Sequence, residues 1–177
     1  GNAGAIVREG AGRAVQRFEA RQADLYDQAF AMIGADSRVS FPRVQALRQE
    51  IAAEIAQAPN SAGARLAPVL RRIDALLADS ADGGLPFGAM RRERTALGRT
   101  LGAPAPSASA PNTEVQPYLQ RLYGSLTEDM TTHATAAGDD AARALSLADR
   151  YTRFNRNLNL PALERVQRQG TDQQVYD

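Results

Sequence analysis

The apolar positions of this chain recur three and four residues apart along nearly its whole length, the spacing that gathers side chains on one face of an α-helix. Val7, Ala11, Ala14, Phe18, Leu25, Ala29 and Met32 form the first such stripe, with Arg13, Arg17 and Arg21 on another face, so residues 5–33 are predicted to be one long helix. Gly10 and Gly12 weaken its first turns, and Gly34 supplies a natural stop. The half from Phe18 to Ile33 is expected to pack, while the earlier turns protrude or lean on a neighbouring chain. A second helix begins after Ser40, with Pro42 in a first turn where the missing N–H costs nothing. Its stripe is Val44, Leu47, Ile51, Ile55 and Ala58. Pro59 and Asn60 separate it from a third, over 61–79, whose wide apolar face of Leu66, Val69, Leu70, Ile73, Leu76 and Leu77 suits a central place. Asp82-Gly83-Gly84 is a turn, and Pro86 opens a fourth helix over 86–101 with Phe87, Met90, Leu97 and Leu101 inward.

The pattern breaks once, at Gly-Ala-Pro-Ala-Pro-Ser-Ala-Ser-Ala-Pro-Asn over 102–112, an irregular linker or long loop by composition and the expected first site of proteolysis. Thr113 and Gln116 then make a capping box ahead of a fifth helix whose stripe is Val115, Leu119, Leu122, Leu126, Met130, His133 and Ala137. Gly138 ends it. Asp139 caps a sixth helix with Ala144, Leu147, Tyr151, Phe154 and Leu158 inward, and a short helix over 160–169 follows. The chain therefore reads as all-α: an antiparallel bundle of six to seven helices, one of them long and N-terminal, with no sheet. A four-helix region over 1–101 is joined through 102–112 to a helical region over 113–177 that packs on it, one domain overall.

Composition sharpens this picture. Of the 177 residues, 34 are Ala and 17 Leu, against 13 Val and Ile together, a balance that favours helix over strand and makes the core thin. The 21 basic residues, all arginine, nearly cancel 20 acidic ones, leaving a net charge of +1 that gives no footprint of a nucleic-acid binder. An arginine-only complement fits a GC-rich genome, or else selection for forked contacts to carboxylate or phosphate. The absence of cysteine removes disulfides, thiolate nucleophiles and cysteine metal sites, and no run of about 18 apolar residues could span a bilayer. Gly1-Asn2-Ala3, without an initiator Met or leader pattern, reads as the start of a piece of a longer chain.

Candidate chemistry is sparse. His133 is the only histidine, which excludes a two-histidine zinc site; Asp129 lies one turn before it, so a carboxylate–imidazole pair that orients a base is sterically possible. Its place on the apolar stripe favours a packing role. Asp79-Ser80-Ala81-Asp82-Gly83 fails as a calcium loop because Ala81 and Met90 occupy ligand positions. Gly10-Ala11-Gly12 follows no strand, so it is no dinucleotide fingerprint, and without lysine there is no phosphate-loop lysine or Schiff base. No cofactor or metal is expected. The densest basic cluster, Arg91, Arg92, Arg94 and Arg99, with Arg71 and Arg72 on the preceding helix, is either a solvated face or an interaction surface for an anionic partner.

Four phrases stand out together: Leu25-Tyr26-Asp27-Gln28-Ala29, the Leu-Pro-Phe-Gly-Ala-Met-Arg-Arg-Glu-Arg run at 85–94, Leu122-Tyr123-Gly124-Ser125-Leu126-Thr127-Glu128-Asp129-Met130, and Ala148-Asp149-Arg150-Tyr151. They resemble helical segments of very large phage and prophage virion proteins of the internal, tail or DNA-ejection type. The resemblance implies a non-catalytic structural or protein-interaction module within a larger polypeptide, located in a virion or in bacterial cytoplasm. It implies protein partners or self-association and transfers no functional residue. The competing expectation is a helical partner-binding domain of a bacterial effector or signalling protein.

Overall fold

The computed structural model describes residues 2–102 and 115–154. Within them the chain is all-α, with six helices: α1 (Asn2–Ile33), α2 (Pro42–Gln57), α3 (Asn60–Asp79), α4 (Phe87–Gly102), α5 (Gln116–Ala137) and α6 (Asp139–Phe154). The linker expected at 102–112 lies outside the described residues apart from Gly102, which closes α4. Leu158, expected at the end of the sixth helix, and the helix expected over 160–169 lie outside them as well.

Packing divides the chain into two compact units at places the sequence reading did not choose. One comprises residues 1–32 with 139–177, the other residues 33–138. The helices α4 and α5, on either side of 102–112, belong to the same unit and pack on each other.

In the 33–138 unit, α5 packs against α4, α2 and α3, and α2 packs against α3. The α2–α5 and α4–α5 contacts run antiparallel. Along α2 and α5, Arg43 meets Glu128 near one end and Glu54 meets Tyr118 near the other. Between α4 and α5, Phe87 meets His133 and Arg94 meets Thr127. The core is made of the expected stripes: Val44, Leu47 and Ile51 from α2; Leu66, Val69, Ile73 and Leu76 from α3; Phe87, Met90 and Leu97 from α4; and Leu122, Leu126 and Met130 from α5. Ile55, Ala58, Leu70, Leu77, Leu101, Val115 and Leu119, expected inward, are half-buried, and Ala137 is exposed.

One element departs from the expected absence of sheet. Two short strands, β1 (Arg38–Val39) and β2 (Leu85–Pro86), pair antiparallel with Arg38 opposite Pro86 and Val39 opposite Leu85. The pairing depends on Gly84, whose φ is +104° and whose missing side chain leaves room for the Val39 backbone; a Cβ there would collide with the Val39 carbonyl oxygen. The ladder also opens α4. Phe87 N donates to Ser37 O at 2.9 Å and Gly88 N to Ala35 O at 3.0 Å, which satisfies backbone donors a helix start leaves over. Pro86 accordingly sits in the strand, and α4 begins one residue later than its spacing suggests.

The other unit contains α1 and α6, which are joined by three side-chain contacts that the structure gives. Phe18 stacks on Tyr151 with ring centroids 5.6 Å apart, Gln22 Nε2 donates to Thr152 Oγ1 at 3.0 Å, and Tyr26 OH donates to Asp149 Oδ1 at 2.5 Å. The helix starts at Asn2 despite Gly10 and Gly12. As expected, its buried large side chains begin at Phe18, followed by Leu25, Tyr26 and Ile33. The apolar stripe read for α6 is displaced. Ala141, Leu145 and Ala148 are the buried residues, while Leu147 is 46% and Phe154 56% exposed. Leu145 and two alanines occupy the buried face, and Leu147 and Phe154 fall outside it. Val7 and Met32 of the α1 stripe are likewise exposed, at 52% and 51%.

Candidate functional site

The side chains able to do chemistry meet along α5. Asp129 and His133 are one turn apart, as the spacing requires, yet they are committed to different partners. Asp129, 2% exposed, accepts from Arg43 N through Oδ1 at 3.0 Å and from Val44 N through Oδ2 at 3.2 Å. These are the first free amides of α2, because Pro42 has no N–H and the residue before it, Phe41, has no side-chain oxygen with which to cap the helix. A carboxylate from another helix thus does the work of an N-cap. Burial raises the Asp129 pKa above the ordinary aspartate value, opposed by the two backbone N–H bonds and by the nearby Arg43 guanidinium. Arg43 itself binds Glu128 at 2.5 Å, so the α2 terminus is gripped by consecutive residues of α5.

His133 faces the other way, toward the start of the ladder. Its Nε2 lies 2.7 Å from Ser37 Oγ, and its ring stacks on Phe87 with centroids 5.9 Å apart. A serine and a histidine at this distance raise the question of an activated nucleophile. The proton inventory answers it. Ser37 Oγ also lies 2.7 Å from Gly34 O and 3.1 Å from Ile33 O, and carbonyl oxygens can only accept. The single hydroxyl proton is therefore directed to the backbone, and Nε2–H donates to Oγ. In that arrangement the imidazole is not a base toward Ser37; the pair closes the turn after α1 and ties it to α5. Burial lowers the His133 pKa, favouring the neutral ring that this bonding uses.

The basic cluster is only partly a surface. Arg94 is 4% exposed, donates to Thr127 Oγ1 at 3.3 Å, and lies over the Tyr123 ring at 5.8 Å from its centroid. It is a core residue, not a member of the anionic-partner surface expected from sequence. Its position shows why: Arg94 falls four residues after Met90 and three before Leu97, on the buried stripe of α4. Arg92 and Arg99 are exposed on that helix and Arg91 is half-buried. Arg71, exposed, and Arg72, half-buried, belong to α3, whose main packing partner is α2, whereas α4 packs chiefly on α5.

Elsewhere in this unit several charges are paired. Arg121 reaches Glu54 at 2.9 Å and Glu50 at 3.0 Å, Tyr118 OH donates to Glu54 at 2.8 Å, and Arg48 binds Asp74 at 2.5 Å. The Tyr118 hydrogen bond is the largest influence holding the Glu54 pKa below its ordinary value, with the Arg121 bond next. Among the described residues no group of three or more His, Cys, Asp or Glu side chains could hold a metal ion. No described helix is long and apolar enough to cross a membrane. Comparison with known proteins finds no family model that matches this chain, no curated relative and no similar solved structure.

Proposed function

We propose that the chain is a non-catalytic structural or protein-interaction module of a larger phage- or prophage-encoded protein. The observation that carries the non-catalytic half is the commitment of Asp129, His133 and Ser37 to backbone and turn partners, which leaves no base aimed at a nucleophile among them. Support for the interaction half comes from α1 and α6. Among the described residues these helices bear five of the six large apolar side chains that are exposed: Ile6, Val7, Met32, Leu147 and Phe154, with Tyr123 on α5 the sixth. Apolar side chains this exposed gain from cover by another surface. The phage assignment stands on the four sequence phrases alone.

A photo-reactive phenylalanine analogue placed at position 154 of the parent protein tests the interaction reading. Adducts are expected with a second polypeptide, either another copy or a different chain of the assembly. Adducts found only within the same chain would contradict it.

A further inference from the structure

Charge is distributed unevenly over the helices of the 33–138 unit. α2 carries two arginines and two glutamates, and α5 one arginine against Glu128 and Asp129; the carboxylates of both helices are engaged by the contacts above. α4 carries four arginines and a single carboxylate, Glu93. One of the four, Arg94, is consumed by the core. Arg92 and Arg99 point outward and, like Arg71 and Arg72 of α3, have no hydrogen-bond or ion-pair partner among the described residues, whereas Arg43, Arg48 and Arg121 each hold a carboxylate within 3.0 Å. Arg92 and Arg99 are seven residues apart, two turns, so their Cα atoms lie on one face of α4 separated by roughly 10 Å.

We propose that this outer face of α4 docks an acidic segment of a protein partner, whose carboxylates meet the Arg92 and Arg99 guanidiniums. The inference rests on the interaction-module reading and names the partner's chemistry. The planar guanidinium fork matches a carboxylate in two-point contact. Nucleic acid is disfavoured because affinity for it grows with the number of phosphates neutralised. This face offers two exposed arginines with Glu93 beside them, on a chain whose net charge is only +1.

The test uses the full chain and two labelled probes, a poly-L-glutamate peptide and a DNA duplex, read by fluorescence anisotropy at physiological ionic strength. The wild type is expected to bind poly-glutamate more tightly than the duplex. The double variant Arg92→Gln/Arg99→Gln should lose about tenfold in affinity, the scale of two partly exposed charge-assisted pairs. A control, Arg17→Gln/Arg150→Gln, removes the same charge from exposed positions on α1 and α6 and should bind as the wild type does. Circular dichroism checks that both variants keep their helicity. Equal losses in the two variants, preference for the duplex, or no binding of poly-glutamate would each overturn the proposal. Adducts from position 154 together with no poly-glutamate binding would remove the α4 surface and leave the module reading in place.

Discussion

The two units hold their helices together by different means. In the 33–138 unit, α2 and α5 are aligned by a buried carboxylate on backbone amides and by a ladder of ion pairs, each specific to one register. In the α1–α6 unit the tethers include an aromatic stack and two side-chain hydrogen bonds, between helices that expose Leu147, Phe154, Ile6 and Val7. Exposed ion pairs contribute little energy individually, so the first arrangement buys alignment more than stability. The second leaves those apolar side chains exposed. The contrast teaches that polar residues specify geometry where a core is thin.

The contrast can be broken most severely at the ladder. Gly84→Ala requires an L-residue at positive φ and drives its Cβ into the Val39 backbone. A loss of about 3 kcal/mol is expected by urea denaturation, and an unchanged midpoint would show that the ladder adjusts freely. In the other unit, Phe18→Ala removes the partner of Tyr151. About 3 kcal/mol should be lost, with the largest decrease in amide protection in α1 and α6. A smaller effect follows from Asp129→Ala, which leaves the Arg43 and Val44 amides uncapped. About 2 kcal/mol is expected, with faster hydrogen exchange at the start of α2. Should Asp129→Ala leave α2 exchange untouched, the cross-helix cap would have no energetic role.

The smallest effect is a pH dependence. Burial lowers the folded-state pKa of His133, so the unfolded chain takes up a proton near the ordinary value of about 6.5 while the folded chain resists. The contribution from neutral His133 is thus fully present above that value and is lost as pH falls through the window beneath it. His133→Asn should remove this component, so that the wild-type-minus-variant difference shrinks on acidification from neutrality. A difference that is flat or grows would contradict the sign.

Much of this was legible in the sequence. Helix periodicity, Pro42, Gly34 and Gly138 placed the ends of α1, α2, α3 and α5 within about three residues, and the large core residues of α2, α3 and α4 fell where their stripes put them. Arg94 and Asp129 were misjudged because their charge was weighed ahead of their position, although both sit at core spacing among Met90 and Leu97, or Leu126 and Met130. The β1–β2 ladder was hidden because two-residue strands have no periodicity, and its determinant is the space above Gly84. The cap on α2 was hidden for another reason: Phe41 offers no capping side chain, and the carboxylate that replaces it lies 86 residues beyond Arg43, whose amide it accepts from. In α6 the Ala residues won the buried face from Leu147 and Phe154, an outcome of helix packing that hydrophobicity alone ranks the wrong way.

The central claim is that the only histidine holds a turn and is not a base, and nitrogen NMR of the imidazole tests it directly. With one histidine in 177 residues, a single pair of ring resonances reports the site. The account predicts a neutral ring protonated at Nε2, with a coupling or exchange signature of its hydrogen bond to Ser37, and a titration midpoint below about 6.5. A ring protonated at Nδ1, accepting the Ser37 proton at Nε2, would contradict it and restore the serine–histidine pair as a candidate for catalysis.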